Sequence, residues 1–288
     1  RATAGRAGGI DLLVGAGDSG DGGSLTLSAG DVYASEHTGG SLFLYAGKGQ
    51  GTDTSMGGSI VALAGDSNSL TGGSILFRSG ASESSSSGNV TILTPSGSLS
   101  GNITAATGDA SEGDSGFISL TSGNAEGGAG GNISVIVGSG QSGHGGNLTL
   151  QAGHTRSVSD KGGDVLVRAG DGFSQILGRG GDVVVSGGTG TDSSGGQVYL
   201  SSGPGVRSSS GEVKITTYDA GRQGVSGSID IVTGTTSLGN SGRIKIQSGG
   251  PAGGGRGGNI TLLVGTGRSG TGGNLQAVAG ASFYRTGG

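Results

Sequence analysis

Five tripeptides match the acceptor for N-linked sugar: Asn89-Val90-Thr91, Asn102-Ile103-Thr104, Asn132-Ile133-Ser134, Asn147-Leu148-Thr149 and Asn259-Ile260-Thr261. That chemistry requires an accessible asparagine amide with a hydroxyl two residues further on. All five fall at one place in a repeating unit. A repeat that favours Asn there and Ser or Thr two positions later yields the same tripeptides without any sugar. The Ser-rich run from Ser82 to Ser87 has the composition of an O-glycosylated loop.

Other chemistries find less support. His37, His144 and His154 all lie in Gly- and Ser-rich stretches, so a neighbouring serine is expected by composition alone. Asp18, Asp66, Asp109, Asp171 and Asp192 follow no fixed spacing, whereas calcium-binding β-rolls place an Asp in every nine-residue repeat. Gly-X-Gly-X-X-Gly matches carry no weight in a chain with 73 glycines, and a phosphate cradle also needs a helix behind it. No catalytic residue, metal site or cofactor is expected, and the chain is read as a non-enzyme.

Composition narrows the partners. The 288 residues carry 16 basic and 20 acidic side chains, a formal charge of −4, with no basic cluster to attract nucleic acid or an anionic membrane. No apolar run reaches the eighteen or so residues of a membrane-spanning helix. Cysteine is absent and aromatics make up 3 %, so neither disulfides nor a conventional core is available.

The elements that position these residues form a repeat. A unit reading Gly, polar, apolar, any, apolar, any, small, Gly recurs from end to end, as in Gly23–Gly30, Gly40–Gly47, Gly146–Gly153 and Gly258–Gly265. Its opening glycines are Gly8, Gly23, Gly40, Gly58, Gly73, Gly88, Gly101, Gly116, Gly131, Gly146, Gly163, Gly181, Gly196, Gly211, Gly227, Gly242, Gly258 and Gly273. These mark eighteen units, most often fifteen residues apart. Positions are numbered here from the residue after the opening glycine. Apolar residues occupy the second and fourth positions, a period of two that predicts a strand with one face inward. The sixth position is small or β-branched: Ala29, Ala46, Ala64, Ser79, Thr94, Ala152, Ala169, Val264. Turn-forming Gly, Ser, Thr, Asp and Asn fill the connections, and Pro95, Pro204 and Pro251 each fall just after a strand.

A longer period overlies the first. The segment from Gly131 resembles that from Gly258 and, more loosely, that from Gly8, so the pattern returns after eight units, or 123 and then 127 residues. Two apolar side chains per unit stabilise by roughly 3–6 kcal/mol, whereas ordering fifteen residues costs on the order of 15–30 kcal/mol. Each unit therefore needs neighbours. The expectation is an all-β chain, a parallel β-solenoid (β-helix) of eighteen repeats with an eight-repeat super-period. Residues 1–288 would form a single repeat array, an excerpt of a longer one, since Gly287 and Gly288 repeat the pair that opens a unit. Coils about 4.8 Å apart would make a rod on the order of 85 Å long. Lys214, Asp230 and Lys245 share the third position of successive units and favour one unit per coil, where they alternate in sign. Two units per coil is the alternative. A membrane barrel would need aromatic girdles that are missing.

The units GGSLTLSAG, GGDVVVSGG and GGNITLLVG resemble the Gly/Ser-rich repeats of extracellular adhesins and of surface fibre proteins. That resemblance implies a displayed, often glycosylated and self-associating shaft, outside the cell or on its surface. The expected role is a structural protein of an extracellular fibre or surface appendage, with copies of itself as partner and covalent glycans as decoration. The alternative is an adhesin stalk or a binding module for glycan or ice. The ice reading fits only the outward hydroxyls from Thr91 to Thr149, since Phe43, Leu76 and Tyr199 interrupt the rank elsewhere.

Overall fold

A computed structural model describes residues 8–51, 54–174, 176–222 and 224–281. The terminal Gly287–Gly288 pair lies outside the described residues. The chain divides into two units, Arg1–Ile136 and Val137–Gly288.

Within each unit, stretches free of bends alternate with bent loops. Bends fall in the connections, for example at Asp18–Gly20, Asn68–Leu70, Gln141–Gly143 and Thr191–Ser193. Side-chain exposure alternates along the segments, as it does in an extended chain. In Gly163–Gly170, Val165 is 57 % exposed, Leu166 85 % and Val167 69 %. The rings of Phe43 and Tyr45, at the third and fifth positions of one segment, stack on its outer side with centroids 5.8 Å apart.

The parallel β-solenoid is not formed. Among the described residues there is neither helix nor strand, so there is no sheet for coils to build. The physical reason lies in the backbone hydrogen bonds. A ladder pairs donors and acceptors all along a segment, but here the segment interiors form no backbone bond to a neighbour. What remains is one bond at the mouth of a loop, such as Gly40 N–H to Gly30 O at 2.9 Å or Gly181 N–H to Gly170 O at 2.9 Å. That bond returns the chain to the loop entrance, and no second backbone bond continues the pairing into the next segment among the described residues. The alternating ladder of Lys214, Asp230 and Lys245 is likewise absent, because the ion pairs of the described residues are Lys161–Asp164 at 2.7 Å and Arg168–Asp171 at 3.4 Å.

Burial reflects the missing ladder. No described residue is buried, and the chain exposes 29763 Å². A folded monomer of 27.2 kDa exposes about 11,000 Å² and a fully unfolded one about 39,000 Å². The half-buried residues are Ala29, Ala46, Ala64, Ser79, Thr94, Ala152, Ala169, Ser202 and Ser248. Every one is a sixth position. The apolar second and fourth positions have the sidedness of a core and nothing to cover it.

Candidate functional site

The best-defined local geometry is the junction where a loop closes. The sixth side chain of one unit lies against the opening glycine of the next. A Cβ on Gly40 would stand 3.2 Å from the Ala29 Cβ, and one on Gly163 would stand 3.3 Å from the Ala152 Cβ. At the valine junctions the space is already filled: a Cβ on Gly23, Gly146 or Gly273 would meet a methyl of Val14, Val137 or Val264 at 2.6, 2.7 or 2.8 Å. The opening glycine is needed because its neighbour occupies the volume a side chain would take.

Two kinds of closure result. Where the sixth residue is Ala29, Ala46, Ala64, Ser79, Ala152, Ala169, Gly187, Ser202 or Ser248, the opening glycine donates its N–H to the closing glycine's carbonyl at 2.8–3.2 Å. Where it is β-branched (Val14, Thr94, Thr107, Val137, Thr217, Thr233, Val264), that bond is missing. A γ-methyl then lies over the opening glycine and holds its backbone off the carbonyl. At two of these junctions the hydroxyl substitutes: Thr94 Oγ1 donates to Gly101 O and Thr107 Oγ1 to Gly116 O, both at 3.3 Å. Ser122 is small yet its junction with Gly131 has no closing bond, and nothing in the structure explains it.

Five of the seven β-branched junctions carry a second signature. Gly20, Gly113, Gly143, Gly239 and Gly270 each stand three residues before an opening glycine and have φ of 79°, 81°, 80°, 120° and 82°. Gly255, at φ 146°, stands likewise before Gly258, where the sixth residue is Ser248 and the loop closes with a backbone bond. L side chains rarely adopt that left-handed region, so glycine is required to turn these loops. Both signatures return after eight units at the valine junctions, where Val14, Val137 and Val264 correspond, as do Gly20, Gly143 and Gly270. Ser122 and Ser248 differ, since only the second closes with a backbone bond. The period-two pattern did not reveal this clasp. Its signal in the sequence was whether the sixth residue is β-branched or small.

The five candidate asparagines sit beside these junctions. Asn89, Asn102, Asn132, Asn147 and Asn259 each follow an opening glycine, and each is exposed together with its hydroxyl partner Thr91, Thr104, Ser134, Thr149 or Thr261. The junctions hold them at loop exits without bringing any two into a common site. His37, His144 and His154 are separate loop residues, with Nε2 of His154 at 2.9 Å from Nε2 of Gln151. Asp171 pairs with Arg168, and Asp18, Asp66, Asp109 and Asp192 are solvated. Among the described residues no group of three acidic, His or Cys side chains converges, and no pocket is present. The hydroxyls of Thr91, Thr104, Ser119, Ser134 and Thr149 are exposed.

No described helix is long and apolar enough to cross a membrane. No protein-family model, curated protein or solved structure matches the chain.

Proposed function

We propose that this chain is a structural protein of an extracellular fibre or surface appendage, ordered by association with copies of itself. One observation carries the reading: the chain alone leaves 29763 Å² exposed, nearer the unfolded than the folded expectation for its mass. An ordinary stable interface buries about 1,600 Å², so the uncovered surface is many times what association requires. The uniform repeat supports the same view, since every unit offers a similar one-sided apolar face and unpaired backbone groups. Sugar on the exposed sequons belongs to this reading as decoration at the loop exits.

Sedimentation velocity over a wide concentration range, with electron microscopy of the concentrated sample, tests the proposal. Concentration-dependent assembly into filaments or sheets is the expected result. A monodisperse monomer with a compact scattering profile at every concentration would overturn it.

A further inference from the structure

The conformational super-period points to a particular occupant for the uncovered faces: a second copy of this chain, parallel and displaced by eight units. This inference rests on the self-association reading and adds the register.

Three registers compete. Pairing each unit with itself stacks all 16 basic and 20 acidic residues on their own copies, and like charges directly opposite are destabilising. Displacement by one unit sets loops of unequal length side by side: Gly30–Gly40 against Gly47–Gly58, then Gly47–Gly58 against Gly65–Gly73. Displacement by eight units avoids both problems. Closure Gly30–Gly40 then meets Gly153–Gly163, Gly47–Gly58 meets Gly170–Gly181, Gly65–Gly73 meets Gly188–Gly196, and Gly80–Gly88 meets Gly203–Gly211. Left-handed Gly20 meets left-handed Gly143, and Gly113 meets Gly239. Two loops depart from the match in length: Thr94 to Gly101 is three residues shorter than Thr217 to Gly227, and Ser122 to Gly131 is one shorter than Ser248 to Gly258 and lacks its closing bond. Left-handed Glu36 and Gly255 have no left-handed counterpart in the corresponding loops.

Charge complementarity follows the same register. Lys48 of one copy comes opposite Asp171 of the next, each the first residue after a closing glycine, while Arg156 meets Tyr33 and Arg168 meets Tyr45. Lys214 faces Thr91, Asp230 faces Thr104 and Lys245 faces Ser119. No like-charged pair arises at matched positions. Such a contact joins different surfaces of the two copies, so it propagates as an open filament instead of closing into a dimer.

The chain has no cysteine, so single variants report the register directly. Thr26 and Thr149 occupy the third position of units that correspond in the displaced register. T26C and T149C are assembled separately and as a mixture, then treated with a short thiol-to-thiol crosslinker and analysed by mass spectrometry. The expected result is a 26–149 crosslink between chains in the mixture and little 26–26 or 149–149 product. Dominant 26–26 product, or none despite assembly, overturns the displaced register and leaves self-association standing. Absence of any sedimenting assembly overturns both. A T26C/T149C double variant that crosslinks within single chains at high dilution shows that the chain covers itself, which also overturns the inference. Independently, K48D should raise the critical concentration by up to roughly fivefold, and K48D/D171K should restore it. Equal effects in both variants contradict the pairing.

Discussion

Replacing Ala64 by Val tests whether the sixth side chain decides how a loop closes. Gly73 N–H now bonds Gly65 O at 2.9 Å, and a Cβ placed on Gly73 would stand 3.2 Å from the Ala64 Cβ. At the Val137 junction the loop has the same length, but Val137 Cγ1 stands 2.7 Å from that place on Gly146 and no backbone bond forms. A64V should therefore convert the first junction into the second. A net backbone hydrogen bond is worth about 0.5–1.5 kcal/mol, so protection of the Gly73 amide should fall by roughly 2- to 12-fold. The reverse change, V137A, should create a bond from Gly146 N–H to Gly138 O with a gain of similar size. Amide exchange followed by NMR on the dilute chain reads both directions. Unchanged Gly73 protection in A64V would refute the argument, whatever happened at Gly146.

Further outcomes follow from other parts of the structure. G143A places a side chain at φ 80° and should cost about 1–2 kcal/mol, seen as faster proteolysis within residues 139–145, while Q141A leaves the cleavage rate unchanged. K161A should alter neither assembly nor the chemical shifts of other loops, because the Lys161–Asp164 pair is 78 % and 71 % exposed and such pairs contribute little. Trypsin should cut at Lys48, Arg156 and Arg207 in dilute solution, where all three are exposed, and cleavage should slow at least tenfold once the protein has assembled. Protein secreted from a glycosylating host should show N-glycosidase-dependent conversion of Asn to Asp at one or more of Asn89, Asn102, Asn132, Asn147 and Asn259. Peptide mapping with no converted site would remove the sugar from the account.

Much of the local structure was legible because it follows from spacing. The opening glycines marked the junctions, the small sixth residues marked the least exposed positions, and Val165 against Leu166 shows the predicted sidedness. What could not be read was the partner of each segment. Alternation at Leu25 and Leu27 says which side wants cover, and it is the same pattern whether cover comes from the next unit or from another chain. Lys214, Asp230 and Lys245 misled for that reason: their alternating signs fit a ladder within the chain, but they meet neutral Thr91, Thr104 and Ser119 equally well in a displaced copy. The candidate asparagines were legible as a motif and as exposed positions, since both depend on the repeat alone. The two closure types required the structure, because the methyl of Val137 over Gly146 is a contact across a loop and leaves no trace in the period.

The most direct test of the central claim, that order arises between copies and not within one, is infrared amide I spectroscopy from high dilution to the assembled state. Dilute protein should lack the β-sheet band, which should grow with concentration alongside sedimenting material and a fibre reflection near 4.8 Å. A β-sheet band of the same intensity per residue at every dilution would contradict the account.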